Sequence, residues 1–246
     1  MSVPAPGTRI GVDAIVLRSM RYREADRILH AVTPDRGRVS AIARGVRRAR
    51  SKLAGRLEPL SVVRLELIVG RGDLHTVVGA DTLAVHHRIL TDGTALDHAQ
   101  RACHAVDRVC VPDEPAPRVH GLLRTLLARI DADPTTLHEG VQLAFRLKLL
   151  YALGLQPALD GCVHCGRVDG LVAFDDAAGG LTCAACRTGA AAWVDPGTPQ
   201  FMRDALALPL ASAPIADPPT VRQVQRAIVG LAQHHLGVDL RSEGAG

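Results

Sequence analysis

Four cysteines carry the most specific chemical signal in this 246-residue sequence. Cys162 and Cys165 form one C-x-x-C pair, Cys183 and Cys186 form a second, and seventeen residues separate the two. Each pair can present two thiolates on one side of a tight turn, and two such turns complete a tetrahedron around Zn²⁺. Four thiolates leave no open coordination position, so one structural zinc is expected, without a catalytic water. Such an ion would replace the hydrophobic core that so short a segment cannot build. Two disulfides, a redox-active C-x-x-C or buried thiols are the competing readings. No secretory signal is evident near Met1 to Ile10, and a redox motif needs no second matched pair. Cys103 and Cys110 lie instead on the apolar stripe of an expected helix, where a thiol packs as a small hydrophobe. With four ligands assigned, His86, His87, His164, His234 and His235 are expected to be surface or packing residues.

The second chemical signal is charge. Residues 1–80 hold fifteen Lys+Arg against seven Asp+Glu, whereas residues 81–246 hold fourteen against eighteen. The net charge of +4 therefore hides one end built for polyanions. Arg36, Arg38, Arg44, Arg47, Arg48, Arg50, Lys52 and Arg56 follow one another with no acidic residue between them. Seven of these eight are arginine, whose guanidinium binds phosphate oxygens bidentately. Binding by such a set would be steeply salt-dependent and largely blind to sequence. A solvated basic face is the plainer alternative. Tyr22 is the only aromatic residue before Phe145, so base stacking cannot be the main source of affinity. Contact with the backbone of both single and double strands is expected.

The elements that must carry these residues follow from periodicity. Ile10, Val12, Ala14 and Val16 alternate; Ile28 to Thr33 and Val39 to Ala43 flank a Pro34-Asp35-Arg36-Gly37 turn. Val63, Leu65, Leu67 and Val69 recur at period two, and so do Leu74, Thr76, Val78 and Ala80 after a Gly70-Arg71-Gly72-Asp73 turn. Five short strands in the first eighty residues suggest a small closed barrel. Arg38 and Arg44 bracket the third strand, so its polar face and the loop Gly45 to Gly55 are expected to be positive together, the loop kept mobile by Gly45, Ala49, Ala54 and Gly55. Beyond Leu83 the period becomes helical. One stripe is Leu96, Ala99, Cys103, Val106 and Cys110; another is Val119, Leu123, Leu126 and Ile130. Val141 to Leu153 is apolar on nearly every side and reads as a central buried helix that stops at Gly154. Leu171 to Phe174 and Leu181-Thr182 form a hairpin between the cysteine pairs. Helices over Gln200 to Leu208 and Val221 to His235 close the chain, and Glu243 to Gly246 is expected to fray.

A series of local motifs accompanies this layout. They are Thr33-Pro34-x-x-Gly37, Ala43-Arg44-Gly45-Val46-Arg47, and Phe145-x-Leu147-Lys148-Leu149-Leu150 with Leu153-Gly154-Leu155-x-Pro157. Cys162-x-x-Cys165-Gly166, Gly179-Gly180 before Cys183-x-x-Cys186, and His235-Leu236-Gly237 with Leu240-Arg241-Ser242 complete the series. In this order they resemble the bacterial RecO family over nearly the whole chain. The resemblance implies an α+β protein: an N-terminal OB-fold β-barrel (1–83), then an α-helical domain (84–160 and 191–246) with an inserted four-cysteine zinc module (161–190). It also implies DNA repair and recombination in the RecF pathway, with binding of single- and double-stranded DNA, strand annealing, and loading of RecA with RecR. Docking of the acidic C-terminal tail of the single-stranded-DNA-binding protein on the helical domain is implied as well. Arg146 and Lys148 are candidates for such docking by charge alone, and a helix's solvent edge is the plainer reading of both.

Other classes fit less well. No paired carboxylates, nucleophile elbow or phosphate-cradling loop is evident, so no enzyme is expected. A zinc-ribbon regulatory factor without annealing activity would place positive charge at the metal module, yet Cys162 to Cys186 holds only Arg167 against three aspartates. The longest apolar stretch, Leu149 to Leu155, is too short for a membrane span. A cytoplasmic, nucleoid-associated protein with no membrane partner is therefore expected.

Overall fold

A computed structural model describes residues 4–48, 51 and 53–241. The expectations for Ala49, Arg50, Lys52 and Glu243 to Gly246 lie outside the described residues. The chain forms two compact units, Met1–Pro134 and Thr135–Gly246.

In the first unit the expected strands form. They are β1 (Arg9–Tyr22), β2 (Asp26–Thr33), β3 (Gly37–Ala43), β4 (Val62–Ile68) and β5 (Leu74–Ala84), closed as a barrel in the order β1-β2-β3-β5-β4. All pairs are antiparallel except β3 with β5, which run parallel over Ser40–Ile42 and Leu74–Thr76. This five-stranded closure, followed by helices, is the OB-fold arrangement. Val12, Ala14, Val16, Leu29, Ala31, Val39, Ala41, Val63, Leu65 and Leu67 fill the interior, as their alternation requires.

The inward phase of β5 differs from the expected one. His75, Val77 and Ala80 are buried, while Leu74 and Val78 are exposed. The ladder to β4 shifts register between Glu66 and Leu67, opposite Gly79 and Val77. That bulge moves Ala80 inward by one residue, which strict alternation cannot show. Gly79 sits at this shift, where an added Cβ would displace the Glu66 carboxylate, 2.5 Å away.

The outer face of the barrel is covered by helices of the same unit. After the short α1 (His87–Thr91), α2 (Gly93–Val109) and α3 (Pro117–Ala132) pack against β1 and β2. Ala99, Cys103 and Val106 on α2, and Val119, Leu123, Leu126 and Ile130 on α3, are buried as their spacing predicts. Burial pushes the Cys103 and Cys110 thiols up to about 12, in keeping with packing rather than reactivity. Asp92 caps α2 by accepting from Ala95 N–H at 2.8 Å. Gly37 must be glycine: its φ is +54°, and a Cβ would lie 2.3 Å from the Glu114 carbonyl oxygen.

The second unit is built around α4 (Glu139–Ala152), which is buried from Gly140 to Leu150 except at Lys148. It packs with α5 (Gly197–Ala207) and α6 (Pro218–Leu236). Gly154, at φ +85°, ends the helical run as expected. Arg146 departs from the expected solvent edge. It is 7% exposed, and it donates to Gln225 Oε1 on α6 and to the Leu240 carbonyl. A buried guanidinium needs such partners, and these tie the last described residues to the central helix. Lys148 Nζ donates to the Leu206 carbonyl at 2.6 Å, and burial lowers its pKa.

Between α4 and α5 in the chain lies a three-stranded sheet of β6 (Leu171–Asp175), β7 (Gly180–Cys183) and β8 (Ala192–Trp193), in the order β7-β6-β8. The hairpin of β6 and β7 matches the expected one. Strand β8 has no counterpart in the sequence reading, because two residues carry no readable period.

Candidate metal centre and nucleic-acid interface

The cysteine sulfurs converge. Cys162, Cys165, Cys183 and Cys186 place their Sγ atoms within 4.8 Å of one another. Each pair sits on its own turn. Gly166 N–H donates to the Cys162 carbonyl at 2.8 Å, with Gly166 at φ +75°, and Cys186 N–H donates to the Cys183 carbonyl at 3.1 Å. The Cys165 and Cys183 sulfurs are 3.8 Å apart. A tetrahedron of sulfurs about 2.3 Å from zinc has edges of about 3.8 Å. The cluster thus has the size and donor set of a four-thiolate zinc site. The Cys162 pKa is lowered to about 5, foremost by the Cys183 backbone N–H, whereas hydrogen bonding to the neighbouring Cys165 and Cys183 sulfurs pushes that of Cys186 up to about 12. Four thiols this close cannot all ionise without a cation, and a divalent metal would remove that conflict. His164 turns away to Asp175, Nε2 to Oδ2 at 3.3 Å. Among the described residues no other group of His, Cys, Asp or Glu forms a metal-sized cluster.

The basic residues do not stay together. Arg36 and Arg38 lie at the start of β3, and Arg44 follows its end, about 20 Å away at about 3.3 Å per residue. Arg36 pairs with Asp113 at 3.5 Å with its side chain only 14% exposed. Arg38 donates to the Asp107 carbonyl at 3.3 Å and faces its carboxylate at 3.8 Å. Asp107, buried on α2, also pairs with Arg18 Nε at 2.8 Å and His30 Nδ1 at 3.1 Å. Three basic side chains on the barrel's outer face thus converge on one helix carboxylate. The continuous positive face expected from Arg38 to Arg44 is therefore interrupted, because the start of the strand is tied to α2.

At the other end of β3 the arrangement suits a polyanion. Arg44, Arg47 and Arg48 are exposed, and Arg44 and Arg48 carry no side-chain hydrogen bond or ion pair among the described residues. Their segment is pinned to the tip of the β1–β2 hairpin. Gly45 N–H donates to Asp26 Oδ1 at 2.8 Å, Arg47 N–H to the Ala25 carbonyl at 3.0 Å, and Arg47 Nη1 to the Glu24 carbonyl at 3.1 Å. Val46 and Leu57 insert into the barrel core and fix the loop from below. Arg27, Arg47 and Arg48 line a cleft of about 340 Å³ with Glu58, which pairs with Arg27 at 2.7 Å. Arg56 is partly used, donating to the Ala80 carbonyl at 2.7 Å and facing Asp81 at 3.7 Å.

The hairpin tip brings Arg21 and Arg23 beside this loop, and the sequence reading passes over both. Arg21 lies opposite Arg27 in the ladder, and Arg27 opposite Ala43, one residue before Arg44. The signal that marks them is the polar Arg21-Tyr22-Arg23-Glu24 run between two apolar stretches.

Comparison with known proteins gives the family. The description "Recombination protein O N terminal" matches residues 9–85, and "Recombination protein O C terminal" matches residues 90–244. A DNA repair protein RecO of Anaeromyxobacter sp. (strain Fw109-5) is 33% identical over 237 residues, covering 93% of this chain and 92% of that protein. The same-named protein of Myxococcus xanthus is 32% identical over 235 residues, covering 94% and 93%. That of Rubrobacter xylanophilus is 40% identical over 209 residues, covering 81% of each. With a closed basic barrel, a helical region and a four-cysteine cluster in the order those matches span, the chain belongs to the RecO family of DNA repair proteins.

Proposed function

We propose that this protein is a non-enzymatic recombination mediator that holds DNA along the barrel end formed by Arg44, Arg47 and Arg48. Arg50 and Lys52, close by in sequence, add further charge. One observation carries the reading: three exposed arginines, two of them without a side-chain partner among the described residues, belong to a segment tied to the hairpin tip, while the Asp26 and Glu58 carboxylates beside them are engaged. Phosphate contact of this kind holds single strands and duplex alike, which suits a protein that pairs complementary strands and retains the product. In this reading it anneals strands coated by the single-stranded-DNA-binding protein, contacts that protein's acidic tail, and with RecR helps RecA onto the strand. Zn²⁺ is the proposed occupant of Cys162, Cys165, Cys183 and Cys186, where it fixes the fold of the module and performs no chemistry. No helix is long and apolar enough to cross a membrane among the described residues, and the proposed place of action is the cytoplasm, at the nucleoid.

The test is annealing of complementary oligonucleotides coated with the single-stranded-DNA-binding protein, at low and moderate salt, by wild type and by a variant with alanine at Arg44, Arg47 and Arg48. Wild type should anneal in a salt-sensitive manner. The variant should stay folded, lose annealing, and show a log-affinity against log-salt slope shallower by about 2 to 3. Tight DNA binding by wild type without any annealing would favour a zinc-ribbon regulatory factor instead.

A further inference from the structure

Tyr22 is the only aromatic side chain in the first 144 residues, and a good part of its ring is left open to solvent. It sits at the end of β1 with 38% of its surface exposed, and its hydroxyl has no hydrogen-bond partner among the described residues. In the ladder it faces Asp26, whose carboxylate accepts from Gly45 of the basic loop. Arg23 holds its guanidinium 5.2 Å from the centre of the Tyr22 ring, from a backbone at φ +50° that non-glycine residues rarely adopt. A guanidinium held over a phenol ring offers a cationic, planar surface of the kind on which a nucleobase can stack.

We propose that Tyr22 and Arg23 form a stacking platform for one unpaired base, with the basic loop holding the adjoining backbone. The inference rests on the DNA-binding reading above and deepens it. The arginines cannot tell single strand from duplex, because both present phosphates. The platform can, because a base inside a duplex has both faces occupied by its neighbours. Tyr22 is therefore the residue that sets single-strand preference, and a base must leave it when pairing completes.

The test compares wild type with Tyr22→Phe and Tyr22→Leu, measuring affinity for an oligothymidine carrying one central 2-aminopurine and for a blunt duplex of equal length. Tyr22→Leu should weaken single-strand binding by at least about fivefold, the lower bound for one stacked base. Its duplex affinity should stay within about twofold of wild type, since phosphate contact is untouched. Tyr22→Phe, which keeps the ring, should bind like wild type and change the 2-aminopurine fluorescence as wild type does, whereas the Leu variant should not. Equal loss on both substrates would overturn the platform, since Tyr22 would then merely shape the hairpin. So would single-strand binding by the Leu variant indistinguishable from wild type. In both cases wild-type binding stands, so the DNA-binding reading survives; wild type binding neither substrate would remove both.

Discussion

Replacing Asp107 by Asn keeps the shape of the side chain and removes the charge on which Arg18, His30 and Arg38 converge. The Arg18–Asp107 contact at 2.8 Å corresponds to a gross attraction of about 6 kcal/mol at an effective dielectric of about 20. Desolvation offsets much of it, and breaking one partner of a fully buried pair costs about 3–5 kcal/mol. Asp107 meets the condition of burial with 10% of its side chain exposed, but Arg18 is 47% exposed and can recover hydration. The net cost is therefore set at about 2–3 kcal/mol, a value between the buried and surface cases. Because the chain forms two units, a single unfolding curve would mix them. Hydrogen exchange read on α2 peptides reports the right unit, and the expected loss of protection there is about 30- to 150-fold. Peptides from α5 and α6 should not change. A loss below about threefold on α2 would refute the claim that this carboxylate holds the helix to the barrel. The same reasoning separates the arginines: Arg38→Ala should destabilise α2 with an unchanged salt slope of DNA binding, while Arg47→Ala should lower that slope by about 1. A slope lowered equally by both would mean that Arg38 also meets DNA.

Two further outcomes concern the second unit. Stripping metal with a chelator, or Cys162→Ser, should deprotect residues 158–193 and lower folded yield while leaving duplex binding by the barrel within about threefold; bound zinc is measured alongside, and a folded zinc-free variant with a specific DNA defect would contradict this. Burial, and secondarily the neighbouring Asp175, raise the pKa of Asp176, so the folded state binds a proton there more tightly than the unfolded state does. Its contribution to stability is fully present below the unfolded value and falls as pH rises through the folded one. Asp176→Asn should accordingly stabilise the unit at neutral pH, by thermal melting, with the gain vanishing near about pH 3, below the unfolded value; a gain independent of pH would point to a cause other than charge.

Much of this architecture is readable because burial imposes a period. Val12, Ala14 and Val16, and Val119, Leu123, Leu126 and Ile130, reveal their faces without any partner in view. The cysteine cluster is equally legible, since two short pairs already define most of a tetrahedron. What the sequence conceals is long-range pairing and phase breaks. Arg38 lies 69 residues from Asp107, and nothing local marks it as structural rather than DNA-facing. The bulge at Gly79 breaks the alternation of β5, and before it the buried residues are His75 and Val77 although Leu74 and Val78 look at least as apolar. Arg146 shows the opposite failure: a charged residue on an apolar helix is read as an edge, and its partners Gln225 and Leu240 come from the far end of the chain.

Val46 and Leu57 anchor the basic loop in the barrel core at both of its ends. Between two fixed ends, lengthening a flexible segment adds closure entropy only logarithmically, about 0.6 kcal/mol for each doubling. Residues inserted between these anchors would therefore cost the barrel little, whereas Arg47 and Arg56 are themselves tied to Glu24, Ala25 and Ala80 and Leu53 packs against the core. Under the proposed function, the charge that such inserted residues offer to DNA and the thermodynamic robustness of the barrel are separately adjustable, and selection or design can raise one without lowering the other.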